Sequence, residues 1–389
     1  MTEKSIYLDY AATTPVDPRV AAVMRECLEP SGDFENPSSP HSGGRRTRAR
    51  VEKAREQIAL RVGVTPETIA FTSGATESDN LAIQGVLNAD GARGRHLVTS
   101  ITEHKAVLDT AAAMERLGRE VTYLRCDEQG IVSPEQVDDA ITDQTALVSI
   151  MHVNNETGVV QDIAGIAERC RAKDVLLHVD AAQSVGKVPV PIGAWGADLV
   201  ALTAHKIYGP KGIGALYVKP GTRLAPVIYG GEWDGGIRPG TLATHQIVGM
   251  GEAYELADPD RESIDLAALR DRLWGGLSQL DDVRLNGHPT QRSPHVLNVA
   301  FPGVEGDSLR LGIGDIAVSA GAACDAATPA ASHVLSALGL SHALAASSQR
   351  FSIGRFTTVE QVDETIKRVS AEVERLRQMA AGAPAWSGN

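Results

Sequence analysis

Cysteine is scarce: Cys27, Cys126, Cys170 and Cys324 are the four in 389 residues. None sits in a CxxC pair, so the spacing suggests neither a disulfide framework nor a zinc or other metal site. No stretch of 18 apolar residues occurs, and the start, Met1-Thr2-Glu3-Lys4, runs into strand-like Ile6-Tyr7-Leu8 without the apolar core of a signal peptide. A cytoplasmic protein without membrane contact is expected. Long Lys/Arg runs are missing too, and the formal net charge of -12 would repel phosphate backbones, so direct nucleic-acid binding is disfavoured. Internal repeats and low-complexity linkers are lacking. Only Ala380 to Asn389, rich in Ala, Gly, Pro and Ser, reads as a frayed tail.

What remains is ordinary globular material, 43% hydrophobic and 22% charged, enough to bury a sizeable core. A chain of this length exceeds what one core usually supports, so a large domain and a smaller one are expected. Short apolar runs at 96–99, 120–123, 146–150, 175–179 and 197–202 alternate with helical patterns. That alternation reads as an α/β fold with a central, mostly parallel sheet. Ligands in such sheets sit beyond the carboxyl ends of the strands, which singles out His104, Asn155, Asp180 and Lys206. Near the C-terminus, Val359, Val362, Ile366, Val369, Val373 and Leu376 recur at helical spacing, with Thr357 and Glu360 in a capping-box pattern. One long amphipathic helix is expected there.

Two of these polar residues make a chemical pair. Asp180 follows one apolar strand and Lys206 follows the next. A pyridoxal 5'-phosphate (PLP) cofactor needs a lysine amine for its aldehyde and a buried carboxylate to keep its ring nitrogen protonated. Ser73-Gly74-Ala75-Thr76-Glu77-Ser78 follows the apolar Ala70-Phe71 and opens a helical pattern, where backbone N–H groups can hold a phosphate.

Longer runs carry a family resemblance. They include Tyr7-Leu8-Asp9-Tyr10-Ala11-Ala12-Thr13-Thr14-Pro15, Phe71-Thr72-Ser73-Gly74-Ala75-Thr76-Glu77-Ser78-Asp79-Asn80, Thr102-Glu103-His104-Lys105, His152-Val153-Asn154-Asn155-Glu156, His205-Lys206-Ile207-Tyr208-Gly209-Pro210-Lys211-Gly212 and Arg350-Phe351-Ser352-Ile353-Gly354-Arg355-Phe356. With these the chain resembles the group I cysteine desulfurases of the NifS/IscS type over nearly its whole length.

The resemblance implies a fold-type-I PLP-dependent transferase, a homodimer, with a large PLP-binding domain over 15–255. A smaller α+β domain would comprise 1–14 and 256–389. It implies that Lys206 holds the cofactor, Asp180 pairs with the pyridine nitrogen, Gln183 bonds the ring hydroxyl, and His104 stacks on the ring and transfers protons. Gly74, Ala75, Thr76, Thr203 and His205 would bind the phosphate, with Thr241 reaching across from the partner subunit. Asn155 and Arg350 would hold the substrate, and a guanidinium fork suits an amino-acid carboxylate. Cys324 lies in a run of small residues, as suits a thiolate that takes sulfur from L-cysteine and carries it as a persulfide to an acceptor protein, leaving alanine. The acceptor would serve iron–sulfur cluster assembly, tRNA thiolation or DNA phosphorothioation.

Three segments depart from the family pattern. Asp325 adds a carboxylate beside the thiol, which should raise the thiol pKa. Glu232-Trp233-Asp234 replaces a more glycine-rich, polar run, and housekeeping relatives carry a scaffold-docking tail where these residues stop at Asn389. Rival readings are another fold-type-I PLP enzyme, such as a selenocysteine lyase, an aminotransferase or a kynureninase-like lyase, and a weakly catalytic scaffold subunit. The first needs no cysteine at 324, and the second is opposed by the intact set of polar residues.

Overall fold

The computed structural model describes residues 5–89, 94–231, 237–320 and 332–382. After the short β1 (Ile6–Tyr7), a seven-stranded sheet is built from β2 (Ile69–Thr72), β3 (His96–Ser100), β4 (Glu120–Leu124), β5 (Thr145–Met151), β6 (Leu176–Asp180), β7 (Leu199–Thr203) and β8 (Gly214–Val218). Their spatial order is β2-β8-β7-β6-β5-β3-β4. Strand β8 runs antiparallel to both neighbours, and the pairings from β7 through β4 are parallel. The five apolar runs read from the sequence all appear as strands of this sheet.

The runs are continuously apolar because both faces are covered. Val98, Val148 and Val200 belong to one buried cluster, while their chain neighbours Leu97, Leu147 and Leu199 belong to another. Successive side chains thus enter opposite layers, as the two-residue period of a strand requires.

A third cluster has a different origin in the chain. It joins Leu8 from near the N-terminus to Leu273, Leu297, Phe351, Val362, Val369 and Val373. Its framework is a four-stranded antiparallel sheet, in the order β12-β13-β10-β9, from β9 (Arg284–Leu285), β10 (Val296–Ala300), β12 (Ser319–Ala320) and β13 (Ser348–Ser352). Strand β11 (Ile316–Ala317) pairs in parallel with β1.

The C-terminal helix, Val359–Gly382, lays Val362, Val369 and Val373 on this core. Its cap differs from the one read in the sequence. Thr358 and Gln361 form the reciprocal pair, at 3.1 and 3.3 Å, whereas Thr357 turns inward and its hydroxyl accepts from Gly354 N–H. Thr357 is needed to close the turn that leaves β13, so the cap moves on by one residue. Val359, the first helical residue, is consequently half exposed rather than packed.

Candidate active site

The carboxyl ends of β2, β6 and β7 open on one cleft of about 650 Å³. At its phosphate-sized corner, β2 ends at Thr72 and Gly74 becomes the N-cap of the helix Ala75–Leu87. Gly74 has φ +151°, a backbone conformation that L side chains rarely adopt. Gly214, opposite, lets β8 come close: a Cβ there would lie 2.6 Å from the Gly74 Cα. The Thr72 and Ser78 hydroxyls, 2.8 Å apart, fasten the turn to the helix. Ala75 and Thr76 therefore present a first helical turn, whose N–H groups lack intrahelical acceptors, to the cleft. Thr203, at the end of β7, and His205 line the same cleft. Burial and the nearby Lys206 and Lys211 push the His205 pKa down to about 4.

Asp180 ends β6 and accepts from Ala182 N–H at 2.8 Å. Burial raises its pKa, against the pull of that N–H, His104 and Lys206. His104 is the N-cap of the helix Lys105–Arg116, and its Nδ1 accepts from Ala106 N–H at 3.1 Å. In the neutral ring that bond leaves the proton on Nε2. Burial lowers the His104 pKa and so favours the neutral ring. Lys206 Nζ donates to the Ala11 carbonyl, which also accepts from Gln183 Nε2 at 2.8 Å. The N-terminal segment thus reaches into the cleft, and Gln183 bonds main chain here.

The substrate end is built on the other core. Arg350 sits on β13 and is only 2% exposed. Its Nη1 donates to the Asn155 carbonyl at 2.8 Å, and its Nη2 to Asp9 Oδ1 and Ser319 Oγ at 2.8 and 2.9 Å. Ser319 Oγ in turn donates to Asp9 Oδ1. The Arg350 Nε–H is buried without a partner.

Several residues at the site carried no role in the sequence reading. Asp79 and Glu103 are buried carboxyls whose pKa values burial raises well above the usual range, with Asp180 adding to both. Asp79 follows Ala75 by one helical turn, a spacing that returns it to the sheet-facing side. Glu103 Oε1 accepts from Met151 N–H at 2.8 Å. His333 lines the cleft from the start of a short helix, its Nε2 bonded to the Glu103 carbonyl at 3.0 Å. Asp9 and Ser319 were hidden because their meaning depends on contact with Arg350.

One expected residue, Thr241, is not among those that line the cleft. Thr241 lines a smaller cavity of about 150 Å³ with Ser73, Gly212 and Arg238, and Cys324 lies outside the described residues, as do Asp325 and Glu232-Trp233-Asp234. The remaining cysteines are poor nucleophiles. Burial raises all three thiol pKa values, that of Cys170 to about 12.

The cleft fits PLP. Its volume suits a small cofactor, and the Thr203 hydroxyl is buried without a partner beside the helix N-terminus. The buried Asp180 carboxyl would gain a cationic partner from a protonated ring nitrogen. Among the described residues no group of three or more His, Cys, Asp or Glu could hold a metal, and no helix is long and apolar enough to cross a membrane.

The chain belongs to the class-V aminotransferase family, whose model matches residues 6–365. A cysteine desulfurase IscS of Aeromonas hydrophila is 53% identical over 386 residues, 98% of this chain and 95% of that one. Among solved structures, DndA from Streptomyces lividans superposes with a TM-score of 0.77 at 38% identity, over 89% of this chain and 99% of that one. SspA in complex with cysteine gives 0.82 at 36% identity, over 91% and 100%. The fold and these relatives define a PLP-dependent enzyme of the cysteine desulfurase group.

Proposed function

We propose that this enzyme converts L-cysteine to L-alanine and leaves the sulfur as a persulfide on Cys324. The observation that carries the reading is the convergence of Lys206, Asp180 and His104 with Arg350, from two separate cores, on one cleft. Lys206 would hold the PLP aldehyde, Asp180 would pair with the ring nitrogen, and Gln183 would bond the ring hydroxyl. Gly74, Ala75, Thr76, Thr203 and His205 take the phosphate. When bound, PLP supplies an electron sink that lets Cα lose its proton and weakens the Cβ–S bond.

Arg350 orients the substrate carboxylate by its charge and by the Nε–H that has no partner here, and Asn155 lies beside it. His104, neutral at pH 7, gives a proton from Nε2, and the Lys206 amine takes and returns the Cα proton. The Cys324 thiolate attacks the substrate sulfur and forms the S–S bond as the Cβ–S bond breaks, and the electron pair left on Cβ takes up the proton released when Cys324 ionised, giving the alanine methyl group. Free cysteine and one enzyme thiol thereby become alanine and one persulfide, which an acceptor protein discharges.

Thr241 lines the small cavity that shares Ser73 and Gly212 with the cleft, and we read the enzyme as a homodimer in which Thr241 completes the phosphate site of the partner subunit. We read the seven-stranded sheet with its two flanking clusters, and the third cluster, as two domains, 15–255 and 1–14 with 256–389. The test is alanine and sulfide release from L-cysteine by the PLP-loaded protein under dithiothreitol. Wild type should release both and Cys324→Ser neither; a fully active Cys324→Ser would leave a generic PLP lyase.

A further inference from the structure

Tyr208, two residues beyond Lys206, has φ +67°, a left-handed conformation that a bulky residue seldom adopts. Its surroundings impose it. The Tyr208 N–H donates to Thr14 Oγ1 at 2.8 Å, and its carbonyl accepts from Asp17 N–H at 2.9 Å. The buried ring is met by two cations, with Arg355 Cζ 4.1 Å and Lys187 Nζ 4.7 Å from its centroid. The Tyr208 hydroxyl accepts from Arg355 N–H and, at 3.5 Å, from Lys187 Nζ. Arg355 is bound in turn to Asp17, at 2.9 Å, and to Glu262.

Lys187 is a buried group that the reaction leaves unused. It is 2% exposed, and among the described residues no carboxylate lies within 4 Å of its amine. Burial pushes its pKa down to about 8. An ammonium held this way stabilises little by itself. Its nearest aromatic neighbour is the residue that fixes the backbone after Lys206. Arg355 stands just past the end of β13, the strand that carries Arg350.

We propose that Tyr208, clamped by Arg355 and Lys187, is a positioning residue that holds Lys206 at a set spacing from Arg350. The clamp joins the two cores at one ring, so the lysine for the cofactor and the arginine for the carboxylate move as one unit. The inference rests on the roles given above to Lys206 and Arg350.

The test compares wild type, Tyr208→Phe and Lys187→Met, each as PLP-loaded protein. Readouts are kcat and KM for L-cysteine, cofactor content, the visible band of the Lys206-bound cofactor and the thermal midpoint. Misplacement without loss of either site predicts a kcat lower by about tenfold, with KM and cofactor content within about twofold. The visible band should shift in both variants, and Lys187→Met should melt no lower than wild type. Unchanged kcat and band in both variants would overturn the clamp, as would a joint fall of kcat, cofactor content and melting midpoint. Wild type that makes no alanine would sink the desulfurase reading instead, and the band shift alone would then decide whether the clamp positions Lys206.

Discussion

The two ends of the cleft are made differently. At the cofactor end each polar residue sits where one strand meets the next turn or helix: Gly74 after β2, Asp180 closing β6, Thr203 closing β7. At the substrate end one side chain, Arg350, is held by Asp9, Asn155 and Ser319 from three distant parts of the chain. At the cofactor end strand ends set the positions and burial shapes the charges, with one long-range contact from the Ala11 carbonyl. The substrate end is a long-range assembly in which a buried cation is neutralised by a neighbouring carboxylate.

That contrast can be broken by substitution. The largest effect belongs to the cofactor end: Lys206→Ala should abolish alanine formation and eliminate the lysine-bound visible band. His104→Ala should lower kcat by about a hundredfold or more because the proton donor is lost, while Lys206, Asp180 and the phosphate corner still retain the cofactor. At the other end, Arg350→Ala should reduce kcat/KM for L-cysteine by about 2–5 kcal/mol, mostly through KM, since it also strands Asp9. Asp9→Ala should cost about 1–3 kcal/mol in the same quantity, because the guanidinium stays but loses an acceptor. If Asp9→Ala proved as damaging as Arg350→Ala, the two ends would not differ as described.

The smallest effect is on pH dependence. Burial raises the Glu103 pKa, so its native-state stabilisation is complete below its ordinary value of 4.5 and is lost as pH rises. Glu103→Gln removes that dependence. Its melting midpoint relative to wild type, measured on apo protein, should therefore climb as pH increases from about 4.5. A constant difference would mean that Glu103 is ionised in the fold.

The same contrast explains what the sequence made legible. Five strands, the Gly74 turn, Asp180 and Lys206 were readable because strand period and turn chemistry are local. Family resemblance supplied Arg350, whose spacing carries no such signal. Asp9, Ser319, His333 and the buried Asp79 and Glu103 escaped because their roles exist only through contacts between distant segments. The shifted cap at Thr358 shows the limit even of local reading. Thr357 and Thr358 are equally good caps in sequence, and the turn out of β13 chooses between them.

The central claim is that substrate sulfur comes to rest on Cys324. Its most direct test is a single turnover without reductant, followed by digestion and mass measurement of the peptide that contains Cys324. The account predicts one alanine per added sulfur atom, with that sulfur on Cys324 and none on Cys27, Cys126 or Cys170. Alanine formed with no sulfur on Cys324, or sulfur on one of the other three, would contradict it.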